Sequence, residues 1–184
     1  MRVQATGAEN PYLGLVGRMR IAFVLFLAMA LQLTVASRLS LAGVHPDLMV
    51  LMAVAAGALS GPGRGAAVGF CAGLLNDLFN QAPVGLSALA FLLVGYAVGS
   101  MHSTVLRSAW WVPAATAIVA SAGGEVLYAL IGAMVGQSQM ISGRLGLVAG
   151  IVGGVNGLLA PVAVSAFAWA CRPSTEVRAA RSRW

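Results

Sequence analysis

The chain reads as a succession of apolar runs separated by short polar breaks. No charge interrupts Ile21 to Ala36 or Val112 to Gly124. Runs of this length without a polar face are not soluble helices, and the pattern predicts membrane segments at about 19–37, 46–60, 64–79, 86–101, 112–135 and 145–170. The breaks carry turn chemistry. Pro46 and Asp47 open the second run, Ser60-Gly61-Pro62-Gly63 divides the second from the third, and 80–85 divides the third from the fourth. The second and third segments are each only about fifteen residues, roughly 22 Å against a ~30 Å hydrocarbon core, so they form either short full spans or a re-entrant hairpin. Arg64 favours full spans, because a hairpin would hold its charge near the bilayer centre at about 3 kcal/mol or more. A thinned bilayer or dipping polar flanks then absorb the mismatch.

Composition agrees with that pattern. Of 184 residues 59% are hydrophobic and 9% charged, and the mean hydropathy is +0.88, far too apolar for a soluble domain. The expected fold class is all-α: a polytopic membrane protein of about six transmembrane helices in a single membrane domain, 1–184. That domain divides into a cytoplasmic segment 1–18, a helix bundle 19–171 and an Arg-rich tail 172–184. Thr34-Val35-Ala36 offers a weak cleavage pattern, but the first run exceeds a usual signal-peptide core and many spans follow, so it reads as an uncleaved helix.

The net charge of +6 comes from arginines at the chain ends and between apolar runs, which excludes a nucleic-acid reading. With six spans, Arg2, Arg18, Arg20, Arg64, Arg107, Arg172, Arg178, Arg181 and Arg183 share the side of the termini, against Arg38 and Arg144 on the other. That bias favours both termini in the cytoplasm, with Trp110 and Trp111 at headgroup level and the tail anchored on anionic lipid. Cys71 and Cys171 read as small core residues.

Two features remain for chemistry. Gly57, Gly61, Gly65, Gly69 and Gly73 recur every fourth residue, and the last three share one helix and lead to Asp77 on a slowly rotating stripe. Gly146, Gly150 and Gly154 form a second such row, with Gly153, Asn156 and Gly157 beside it, and the pairs Gly95/Gly99 and Gly132/Gly136 repeat the spacing. Such rows let helices approach closely, either inside the bundle or against a partner. Few ionisable groups enter the apolar runs: His45 and Asp47 at the start of the second, Asp77 near the end of the third, Glu125 in the middle of the fifth. Asp47 suits a helix start. Asp77 does not suit a helix end and needs a partner, such as Arg38, Arg144 or a bound chain. Glu125 calls for neutralisation or a polar cavity with Asn156, as an ion or substrate site or as one interhelical hydrogen bond. No catalytic constellation, metal-ligand spacing or cofactor motif is evident, so no enzyme and no cofactor are expected.

His45-Pro46-Asp47-Leu48, Gly69-Phe70 through Gly73-Leu74-Leu75-Asn76-Asp77-Leu78, Gly85-Leu86-Ser87-Ala88-Leu89 and Gly95-Tyr96 with Gly99 together resemble the rod shape-determining protein MreD family. The resemblance implies a non-enzymatic subunit of the bacterial cell-elongation, peptidoglycan-synthesising complex. It implies a bitopic MreC-like partner and, through it, an MreB-like filament, a RodA-like glycosyltransferase and its transpeptidase. It also implies a fold similar to the S components of energy-coupling-factor transporters, with family signatures falling on Pro46, Asp47, Gly73 and Asp77. A glycine-lined face, Gly65-Gly69-Gly73 closed by Asp77, is then the expected dock for the partner's helix. The rival reading is an S-component-like subunit for vitamin or ion transport, using Asp77, Glu125 and Asn156.

Overall fold

The computed structural model describes residues 15–34, 38, 43–80, 83–101, 111–137 and 143–172. Among them the fold is six helices and no strand: α1 Leu15–Thr34, α2 Leu48–Ser60, α3 Pro62–Phe79, α4 Leu86–Ser100, α5 Val112–Met134 and α6 Leu145–Ala170. Three of these, α1, α5 and α6, are long and apolar enough to cross a membrane. Of the topology markers, Arg2, Arg107, Trp110, Arg178, Arg181 and Arg183 lie outside the described residues. Trp111 is exposed at the start of α5.

Successive helices alternate in direction. Arg20 near the start of α1 donates to the Arg172 carbonyl just past α6 at 3.4 Å. At the other end Gln32 near the close of α1 meets Asp47 at the start of α2. The start of α1 and the close of α6 therefore share one end, termed basal here, with Arg18, Arg20, Arg64 and Arg172. Arg38 and Arg144 fall at the opposite, outer end.

The core is built around α2. This helix is apolar all round and buried on every side: Met49, Val50, Ala53 and Ala56 have no exposed surface, as expected of a helix surrounded by others. Its 13 residues rise only ~20 Å. Gly61 alone makes the turn into α3, with φ 82° and ψ −179°, a conformation open only to glycine, and Pro62 starts the next helix with its φ already set.

The glycines then set the helix spacing. A Cβ on Gly65 would meet the Gly95 carbonyl, one on Gly69 the Phe91 carbonyl, and one on Gly73 the Ser87 carbonyl. A Cβ on Gly99 would lie 2.6 Å from the Pro62 Cα. Backbone thus lies on backbone along α3 and α4, a packing only absent side chains permit. The row expected to dock a partner is filled by this chain's own fourth helix. Cys71 departs from its expected place in the core: it is exposed on α3, on the face turned away from the glycine row.

Candidate functional site

Two carboxylates cap helix N-termini, one from another helix and one from its own. α4 begins at Gly85, whose φ of 102° requires glycine and which brings no side chain to cap the helix. Asp77, 1% exposed, supplies the missing acceptor from α3. Its Oδ2 accepts from the Gly85 amide at 2.7 Å and the Ala88 amide at 3.3 Å, and its Oδ1 from the Ser87 amide at 3.0 Å. The partner that its position at a helix end demanded is therefore neither Arg38 nor Arg144 but the N-terminus of α4, where orphan N–H groups and the helix dipole both favour a carboxylate. Asn76 extends the contact, donating to Ser87 Oγ at 3.4 Å.

Asp47 caps its own helix. Its Oδ1 accepts from the amides of Met49 at 2.8 Å and Val50 at 3.2 Å. Gln32 completes the cap from α1: its Oε1 accepts from the Leu48 amide at 2.6 Å and its Nε2 donates to Asp47 Oδ1 at 3.4 Å. Pro46, buried beside it, holds the preceding chain extended. The sequence reading missed Gln32, although its amide was the lone polar side chain in Ile21 to Leu33 and marked the inward face of α1. Replacing Gln32 by leucine is expected to cost about 1–2 kcal/mol by stranding the Leu48 amide, seen as a lower melting temperature of the purified protein. Unchanged melting would show that this bond does not hold α1 to α2.

Asn156 joins the same point from α6. Fully buried, its Nδ2 donates to the Asp47 carbonyl at 2.8 Å and to Ser121 Oγ of α5 at 3.0 Å. Its Oδ1 has no partner among the described residues. Asn156 stands eleven residues from the start of α6, so α6 runs ~16 Å past the N-terminus of α2. Residues 43–47, which lead into α2, are non-helical backbone, which a membrane protein tolerates only where the segment is buried in protein or lines a cavity.

Such a cavity is present. A space of about 410 Å³ is lined by Gln32, His45, Asp47, Asn80, Glu125 and Val152 together with Gly43, Val44 and Pro46 of that segment. Glu125, in the middle of α5, thus faces a polar cavity rather than lipid, which is what makes a carboxyl at that depth tolerable. It shares the cavity with Asp47. Asn156 is not part of the lining, and the two are linked only through Asp47. Asp77 stands apart, committed to α4. Among the described residues no group of three or more His, Cys, Asp or Glu is placed to hold a metal ion.

The second glycine row divides in two. A Cβ on Gly153 would lie 2.7 Å from the Ile118 carbonyl, and one on Gly157 would strike the Ile118 side chain, so both face α5. Gly146, Gly150 and Gly154 have nothing within 4 Å of an added Cβ and are exposed. Leu158, 82% exposed, continues that open face by one turn.

A family model described as rod shape-determining protein MreD matches residues 14–148. The match covers α1 to α5, both capping carboxylates, Glu125 and the glycine row of α3. Neither a curated protein nor a solved structure matches the chain.

Proposed function

Because the chain belongs to the rod shape-determining protein MreD family, we propose that it is a non-enzymatic, multi-pass subunit of the bacterial cell-elongation complex, holding an MreC-like bitopic partner by a glycine-rich helix face. Family membership and three membrane-length apolar helices make it a rod shape-determining membrane protein. The finer reading is that it spans the inner membrane six times as a single domain, both termini cytoplasmic. Two observations support it: the alternating helix directions, and the arginines at the basal end.

The observation that carries the docking reading is the asymmetry of α6. One glycine row is filled by α5, while Gly146, Gly150 and Gly154 present an open, flat strip. In lipid, such a strip gains energy from close packing with another helix rather than from expelling water. The row of α3 has no such vacancy. Joint replacement of Gly150 and Gly154 by leucine is expected to abolish co-purification with the MreC-like partner while leaving membrane insertion and melting temperature intact. Retained co-purification would overturn this docking face. Contact with the MreB-like filament, the RodA-like glycosyltransferase and its transpeptidase would pass through that partner.

The polar outer cavity favours the second reading, an S-component-like subunit for a vitamin or an ion, with Glu125 and Asp47 in the lining. Pulldown from native membranes separates the two. Elongation proteins support the first reading, and an ATPase with a coupling subunit the second.

A further inference from the structure

The lateral surface carries a second cavity, of a different kind. A groove of about 430 Å³ runs between α1, α2 and α6, and every residue lining it is apolar: among them Val24 and Leu31 of α1, Leu51 of α2, and Val155, Leu159 and Val162 of α6. Val162 is 68% exposed, so the groove opens sideways toward the hydrocarbon phase. From Val155 to Ala166 it follows eleven residues of α6, ~16 Å, about half of a ~30 Å hydrocarbon core.

Its basal end is polar and cationic. One turn below Val24, Arg20 lays its guanidinium 5.3 Å from the ring centroid of Trp169 and gives Nη1 to the Arg172 carbonyl at 3.4 Å. Trp169 and Arg172 are exposed beside it, as is Arg18. The described acids, Asp47, Asp77 and Glu125, all lie toward the outer end. A groove one leaflet deep therefore ends beside two arginines, Arg20 and Arg172, and a tryptophan, the residue type that settles at headgroup level.

We propose that this groove holds one acyl chain of an anionic phospholipid from the leaflet at the basal end, with the lipid phosphate on Arg20 and Arg172. Arginine meets phosphate oxygens with a planar fork of donors, and Arg20 is already oriented over Trp169. An uninterrupted apolar lining over the depth of one leaflet, with cations at its basal end, matches a single acyl chain joined to an anionic headgroup. The role is separate from partner docking, because the glycine strip Gly146-Gly150-Gly154 does not line the groove.

The test is native mass spectrometry of the full chain released from nanodiscs of palmitoyl-oleoyl phosphatidylglycerol or of phosphatidylcholine with the same chains. The expected result is one retained phosphatidylglycerol, preferred about tenfold or more over phosphatidylcholine. Arg172→Gln, on an exposed side chain, and Arg20→Gln/Arg172→Gln should progressively erase the preference. Val162→Trp, which fills the groove from its open side, should lose both lipids while its elution profile stays normal. Glycerophosphoglycerol, the headgroup without chains, should not compete. The proposal is overturned if no lipid is retained, if Arg172→Gln keeps the full preference, if Val162→Trp retains lipid as before, or if the free headgroup competes. Displacement of the lipid by an MreC-like transmembrane peptide would also overturn it, since the groove would then be a helix dock.

Discussion

Replacing Gly73 by alanine is expected to break the α3–α4 pair, although it adds a single methyl group. The new Cβ would meet the Ser87 carbonyl and the backbone of Ala88. These atoms belong to the first turn of α4 and have no rotamer to change, so the helices must separate. Separation forfeits the close packing that holds helices together in lipid. It also lengthens the contacts of Asp77, one turn further along α3. A cost near the top of the overpacking range, about 3 kcal/mol, is expected, read as a lower melting temperature and loss of monodisperse elution in detergent. Gly69→Ala should behave alike, against the Phe91 carbonyl. Gly150→Ala is the internal control: its Cβ meets nothing, and alanine in a helix interior is worth about 0.5–1 kcal/mol over glycine. Equal melting of Gly73→Ala and Gly150→Ala would refute the packing argument.

Loss of the Asp77 carboxylate is expected to be at least as damaging. Asp77→Ala strands the amides of Gly85, Ser87 and Ala88, two of them in buried residues, at about 1–3 kcal/mol for each buried donor left unmade. Asp77→Asn keeps one acceptor oxygen and is itself a competent capping side chain, so it should recover more than half of the loss. Amide hydrogen exchange reads the site directly: Ser87 and Ala88 should exchange faster in Asp77→Ala than in Asp77→Asn, and slowest in the unaltered protein. Identical exchange in all three would show that Asp77 does not hold the start of α4.

These two experiments bear on a motif whose place in the fold was only half visible beforehand. The spacing of Gly65, Gly69 and Gly73 announced a flat helix face, because periodicity alone puts them on one stripe. What lies on that face depends on where α4 crosses, and no local pattern encodes a crossing. Asp77 likewise announced itself as misplaced at a helix end, and the misplacement was real within α3. Its resolution lay eight residues on, at a helix whose N-cap residue, Gly85, lacks a capping side chain. The same limit applied to α6, where two adjacent glycine rows are indistinguishable in sequence, yet one faces Ile118 and the other faces outward. Gln32 and Ser121 escaped notice because single neutral polar groups in apolar runs are common, and their meaning arises only beside Asp47 and Asn156.

Composition, hydropathy and turn chemistry by themselves determined an all-helical membrane protein, the near positions of the six described helices and the arginine-rich end. All of these follow from short-range rules, in which a residue's solvent preference and backbone freedom act on its immediate neighbours. Tertiary structure alone decided that α2 is a core helix buried on every side, that Glu125 lines a polar cavity, that Asp77 belongs to α4, and which glycine row stays open. Each of those outcomes depends on contacts between segments far apart in the chain, where direction and depth of packing, rather than residue type, select the partner.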